Sequence, residues 1–239
     1  LTPLQIQLQT LNETIDRFVK ADMRSWLLNR LQMIHRQSER LNYLVTELLD
    51  ISRIAGGRLQ LHPENLDLAD VIHDVVADFR AQGEFERAQS DIRVNVCGPI
   101  VGHWDRTRIE QVLTNLLSNA VKYGAGKPIT LTAACDGEFA TLTVTDEGIG
   151  IAPEDQQRIF ARFERAVSSR HYGGLGLGLF IVREVLEKMG GTIRVRSVPA
   201  EGAAFTVILP LQAPPSRGGR SSGGSSPEEF RGVPMWDRG

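Results

Sequence analysis

Residues 141–150 read TLTVTDEGIG. Apolar Leu142 and Val144 alternate with Thr141, Thr143 and Thr145, the period of a strand with one face buried. An acidic pair, Asp146 and Glu147, then meets Gly148 and Gly150 where the strand should end. The stretch fits a plain turn. It also fits the floor of a ligand pocket. An aspartate at a strand end can accept a hydrogen bond from an exocyclic amine, and glycines let a flat ring approach the backbone. The neighbouring segments decide between the two.

Upstream, residues 105–124 read DRTRIEQVLTNLLSNAVKYG, a helix of about five turns, with Asp105 where an N-cap belongs. Asn115, Asn119 and Lys122 recur at i, i+4 and i+7 and share one face. Leu113, Leu116, Leu117 and Ala120 form the apolar face. Asparagines on a helix this apolar are costly unless something satisfies them. A hydrated Mg²⁺ suits them, being a hard cation with oxygen ligands and few protein contacts. Hydrogen bonds to backbone would serve as well.

Downstream, residues 173–182 read GGLGLGLFIV, in which Gly174, Gly176 and Gly178 precede and open a helix. Free N–H groups at a helix N-terminus bind phosphate. A dinucleotide fingerprint would need a strand before the glycines. The segment there, ARFERAVSSRHY, is polar and basic and reads as a lid, with Arg162, Arg165 and Arg170 able to approach phosphates or to stay solvated.

The rest of the chain supplies a frame. Leu4, Leu8, Leu11, Ile15 and Phe18 form an a/d seam, KADMRSW interrupts it, and Leu31, Ile34, Leu41, Leu44, Leu48 and Ile51 form a second seam. Gly56 and Gly57 are placed to cap its end. Two such helices make an antiparallel hairpin, and a second copy is expected to complete a four-helix bundle as a homodimer. RLQLHPENLDLAD reads as a short strand and linker with Asp67 a possible N-cap, and LADVIHDVVADFRAQ as an amphipathic helix. DIRVNVCG and PIVGHW read as strands. KPITLTAAC and FATLTVTD form a hairpin around Asp136 and Gly137. PEDQQRIF reads as a short helix with Pro153 at its first position. The helix opened by Gly178 stops at Gly190 and Gly191, and TIRVRSV and AAFTVILP form a last hairpin through PAEG. The sum is an α+β chain with one antiparallel-rich sheet covered by helices.

Composition sets limits. The chain has 239 residues, 41% of them apolar, which supports a real core. A net charge of −2 gives no electrostatic reason to expect nucleic acid or an anionic membrane. Cys97 and Cys135 stand far apart and read as free thiols. No stretch approaches the ~20 apolar residues of a bilayer span. Residues 212–239 include 15 Gly, Pro or Ser and read as a disordered tail. A first residue of Leu1 reads as a fragment of a longer protein.

The order of the pieces is more specific than any one of them. An Asn-bearing helix, Asp-x-Gly-x-Gly, a Phe-containing segment (IFARFERA) and a Gly-rich helix start resemble the N, G1, F and G2 boxes of sensor histidine kinases. These lie in a wider family that includes Hsp90, gyrase B and MutL. The resemblance covers residues 67–211 and implies a Bergerat-type α/β sandwich that binds ATP and Mg²⁺. It implies that Asp146 takes the adenine amino group, with Gly148 and Gly150 lining the floor and Tyr123 near the ring. It implies Asn119, with Asn115 beside it, on Mg²⁺. Lys122, Arg165, Gly174, Gly176 and Gly178 would face the phosphates, and Phe160 belongs to the F box. KYGAG departs from the family, where Thr or Ser followed by Pro is commoner, and should alter only the loop.

Position 115 separates the relatives. The ATP-hydrolysing members carry a glutamate there that activates water, and Asn115 is a poor general base. This suits a kinase that keeps its γ-phosphate for a histidine. Thr2, Pro3 and Leu4 match the end of the family's acceptor motif, His-Glu-x-x-Thr-Pro-Leu, which puts the acceptor histidine three residues before Leu1. Thr2 is then a candidate for orienting water in dephosphorylation of the partner. The implied organisation is a truncated dimerisation and phosphoacceptor hairpin over 1–55, a linker over 56–66, the catalytic domain over 67–211 and the tail. The implied reaction runs from ATP to a histidine absent from this chain, then to a response-regulator receiver domain. The implied location is cytoplasmic, with the parent soluble or attached to a membrane upstream. An ATP-driven conformational clamp, or a module that binds nucleotide without catalysis, are the competing readings.

Overall fold

The computed structural model describes residues 21–164 and 175–212. Its first element is a single helix, α1 (Ala21–Ala55). At 1.5 Å per residue it is about 52 Å long. Residues 21–26, expected to interrupt the seam, are helical. They contain no glycine or proline to break the backbone ladder, and the Arg30 guanidinium lies over the Trp26 ring at 5.4 Å. The first seam, residues 4–18, lies outside the described residues. Gly57, at φ +63°, ends α1 as expected, and the Arg58 N–H returns to the Arg53 carbonyl at 2.7 Å.

The α/β domain follows in the order β1 (Glu64–Asp67), α2 (Leu68–Ala81), α3 (Glu84–Ala88), β2 (Ile92–Val96), β3 (Val101–Trp104), α4 (Arg106–Tyr123), β4 (Ile129–Cys135), β5 (Phe139–Asp146), α5 (Gly178–Lys188), β6 (Thr192–Val198) and β7 (Gly202–Pro210). Two sheets form where one was expected. The five-stranded sheet runs β2-β4-β5-β7-β6, with only the β2–β4 pair parallel. β1 and β3 pair separately, and the Trp104 indole N–H ties them to the main sheet through the Pro210 carbonyl at 2.7 Å. The helix α3 had no counterpart in the sequence reading.

PEDQQRIF is not a helix. It forms turns, with a 3₁₀ turn only over Arg158–Phe160. The Gln156 side chain explains this, since its amide donates to the Ile151 carbonyl at 3.2 Å and the Ser197 carbonyl at 2.7 Å. The Ser197 bond anchors the segment to β6, and the Ile151 bond holds the Gln156 side chain in place of a helical turn.

α2, α4 and α5 cover one face of the sheet, and the core lies between. Leu113, Leu116 and Leu117 of α4 meet Leu131, Leu142, Val144 and Val207 of the strands. Each aliphatic side chain contributes about 1.5–3 kcal/mol on burial. On the far face of the sheet Thr143 and Thr206 share a hydrogen bond at 3.1 Å. Ala140, Leu142 and Val144 all point to the helices, and Asp146 continues that series. The strand's period of two therefore buries a carboxyl group at the end of an apolar row.

Candidate functional site

α4 supplies the spine of the site. Its start is fixed by Asp105, whose Oδ1 accepts the Arg108 N–H at 3.1 Å and whose Oδ2 accepts the His62 N–H at 2.9 Å. Asn115 is buried, 4% exposed, while Asn119, Lys122 and Tyr123 are half-buried. Asn115, Asn119 and Tyr123 succeed one another at i, i+4 and i+8, a row of about 12 Å. The Asn115 Nδ2 donates to the Gln111 carbonyl at 3.0 Å. Asn115 Oδ1 packs against the start of α5 at Gly178. The Lys122 ammonium lies 4.7 Å from the centre of the Tyr123 ring.

At the C-terminal end of this row sits Asp146, 5% exposed. Its Oδ1 accepts the Gly148 N–H at 2.9 Å. Burial pushes its pKa above the ordinary aspartate value, opposed by hydrogen bonds from the Gly148 and Ala203 backbone. Burial wins because a carboxylate away from water loses more than two neutral donors return.

The glycines here serve the backbone first. A Cβ on Gly148 would strike the Tyr123 carbonyl oxygen and lie 2.7 Å from the Gly124 Cα. Gly150, at φ +67°, abuts the Val198 carbonyl, and the Ile149 carbonyl accepts the Ala200 N–H at 2.8 Å. DEGIG is thus wedged between the end of α4 and the β6–β7 turn. Clearance for a ring was the expected role of both glycines. The packing shows a prior demand for close backbone approach.

At the other end of the row α5 begins. Its N-cap position is Leu177, which offers no side-chain hydrogen bond to the first turn. A Cβ on Gly178 would collide with Asn115 Oδ1. Gly176, at φ +70°, accepts the Phe163 N–H on its carbonyl at 3.0 Å, joining the Phe-containing segment to the Gly-rich one. Phe160 is buried edge-on to Phe205, with ring centres 6.4 Å apart, so its ring packs the core beneath that junction. Thr2, Arg165 and Gly174 lie outside the described residues.

The structure therefore brings Asp146 and Gly148 to Tyr123 and Gly124, and Gly178 to Asn115, with Asn119 between. Sequence reasoning missed Glu47 and Asp50 of α1. Both are buried, at 4% and 2% exposed, and Glu47 Oε1 lies 3.5 Å from the Cβ position of Gly178. Two acids three apart near the end of a long apolar seam were the only signal. A separate concavity of about 670 Å³ opens at the other end of β5, beside Phe139 and Pro210. It contains none of the candidate residues.

A mixed sheet covered by helices on one face thus carries a buried aspartate at a strand end, next to an asparagine row on the adjoining helix. Residues 104–213 match the family model described as histidine kinase-, DNA gyrase B-, and HSP90-like ATPase, and this domain belongs to that family. Among its relatives is the sensor-like histidine kinase SenX3 of Mycobacterium tuberculosis, 36% identical over 181 residues, spanning 73% of this chain and 43% of the relative. The chain thus spans under half the length of that curated relative. The solved structure of the Acinetobacter baumannii histidine kinase AdeS matches 88% of this chain and 95% of its own at 27% identity and a TM-score of 0.62. Full-length ShkA, solved in complex with AMPPNP, matches 87% of this chain and 46% of its own at 26% identity and a TM-score of 0.65.

Proposed function

We propose that this chain is the kinase core of a sensor histidine kinase that binds Mg-ATP, with adenine at Asp146 and the phosphates toward α5. The observation that carries the reading is the pairing of a buried carboxylate with an asparagine row leading away from it. A carboxylate held above its ordinary pKa by burial gains from a ligand that donates a hydrogen bond, and the adenine amino group is such a donor. At the far end, the first turn of α5 lacks a side-chain cap and suits an anion. The side-chain amides of Asn115 and Asn119 carry oxygens of the kind a hard cation takes. The ATP analogue in ShkA supports the same ligand class.

Bound Mg²⁺ would neutralise charge on the phosphates. The chain's own residues then orient and protect. Asp146 sets the adenine end, the α5 backbone holds the phosphate end, and Lys122, beside Tyr123, is the candidate to reach from the first toward the second. Asn115 offers an amide, itself a poor general base, where the ATP-hydrolysing relatives carry a glutamate.

The acceptor histidine would be supplied upstream of Leu1, with Thr2 as a candidate in partner dephosphorylation. The receiving partner would be a response-regulator receiver domain. Ile34, Leu41, Val45, Leu48 and Leu49 stand exposed along α1 and support dimerisation through a four-helix bundle. The domain limits 1–55, 56–66 and 67–211 remain part of this proposal, as does a cytoplasmic location. Among the described residues no helix is long and apolar enough to cross a membrane.

Calorimetric titration with Mg-ATP tests the site. Binding by the wild-type chain and its loss in Asp146→Asn are expected. Unchanged affinity in that variant would remove Asp146 from the pocket. Appreciable ATP hydrolysis without any histidine acceptor would instead favour the conformational clamp.

A further inference from the structure

The last turns of α1 lie against the phosphate end of the site, and their contacts are specific. Arg108 Nη1 donates to both carboxylate oxygens of Asp50 at 3.0 Å and to Gln111 Oε1 at 2.8 Å. The Gln111 amide donates to Asp50 Oδ2 at 2.7 Å. Three side chains thus close a part-buried polar ring between α1 and α4, with Asp50 fully buried beside Ile51 in the core. Glu47 lies one turn earlier on the same face of α1. Its carboxylate reaches the first residue of α5, where Asn115 Oδ1 also points. Gln111 links the two places, since its carbonyl accepts the Asn115 amide.

We propose that α1 is a strap closed over the phosphate end of the pocket, locked by Asp50, Arg108 and Gln111, with Glu47 standing where nucleotide phosphate must bear. The proposal rests on the nucleotide reading of the site. A helix N-terminus carries about half a positive charge, which favours an anion. Glu47 supplies one from within the chain. A phosphate brought to the same turn meets a like charge at short range, in surroundings that screen it poorly. Strap and phosphate therefore compete, and apparent affinity is the intrinsic affinity scaled by the open fraction. Opening must break the Asp50 ring and lets both carboxylates regain water. The device couples the position of α1, which continues toward the N-terminal part of the chain, to nucleotide occupancy.

Mg-ADP titrations of the wild-type chain, Glu47→Gln, Asp50→Asn and the double variant test this. Either single change should tighten binding at least fivefold, and the double variant should add little to the better single one. Hydrogen exchange on the wild-type chain provides the second measurement. Saturating Mg-ADP should speed amide exchange in the last two turns of α1 while slowing it at the start of α5. Equal or weaker affinity in both single variants, or slower exchange in α1, overturns the strap. If no form of the chain binds Mg-ADP, the nucleotide reading falls and takes the strap with it. Wild-type binding unchanged by the variants removes the strap alone.

Discussion

The two ends of the site are built differently. The Asp146 end is made of backbone: Gly148 against Tyr123, Gly150 against Val198 and Gly202 against the Asp146 carbonyl, all without room for a Cβ. One charged side chain enters this packing. The α5 end is made of side chains from several elements, with Asn115 from α4, Glu47 and Asp50 from α1 and Arg108 between them. Backbone packing tolerates no change of shape, because interiors are close-packed. Side-chain contacts across elements can part and reform. On the proposed reading, the difference suits one end that selects adenine and another that opens and closes around phosphate.

That contrast can be broken by substitution. The largest effect is expected from Gly150→Val, which places a branched side chain at positive φ against the Val198 carbonyl. A loss of about 3 kcal/mol or more in urea unfolding is expected. Wild-type stability in this variant would show that the Asp146 end is looser than its packing implies.

Asp146→Asn should separate binding from folding. Loss of a charge-assisted hydrogen bond should weaken Mg-ATP by roughly 100-fold. Stability should not fall with it. A carboxyl whose folded pKa is raised contributes stability below the ordinary aspartate value and loses it as pH rises through the folded value. At neutral pH the ionised group is therefore a burden on the ligand-free domain. The melting temperature of Asp146→Asn should match or exceed that of wild type, and a drop would contradict the burial argument. By the same sign, wild-type affinity should fall on acidification at a pH above the ordinary aspartate range, as the acceptor is protonated.

A smaller effect is expected from Asp105→Ala, which uncaps α4 and also frees the His62 N–H. A cost of about 1–2 kcal/mol is expected by chemical denaturation, with nucleotide affinity nearly preserved. A large loss of affinity would mean that the start of α4 sets the site as strongly as its end. The smallest effect is expected from Thr143→Val on the far face of the sheet. A change within about 0.5 kcal/mol in stability and none in binding is expected, since it removes one hydroxyl contact, to Thr206, on a partly exposed face away from the site.

Much of this was legible in the sequence because it rests on local periods. The alternation through Val144 marked β5, the i, i+4 asparagines marked one face of α4, and Asp67 and Asp105 cap the helices as their positions suggested. PEDQQRIF misled because its helical composition is overruled by two bonds from Gln156, one local to Ile151 and one long-range to Ser197. ADMRSW misled in the other direction, since a polar interruption in a seam need not interrupt a helix. The separate β1–β3 sheet was invisible because a four-residue strand carries almost no period.

The sequence by itself determined the candidate residues and their order along the chain: Asn115 and Asn119 on one helix, Asp146 with its glycines, and the glycines that open α5. Those follow from spacing and residue type, which are properties of neighbours. The tertiary structure alone decided why Gly148 and Gly150 must be glycine, and that Glu47 and Asp50 face the site. Glu47 is 131 residues from Gly178, and Asp50 is 58 from Arg108. Contacts at such separations arise only when the apolar faces of α1, α4 and α5 pack together, and no local pattern encodes them.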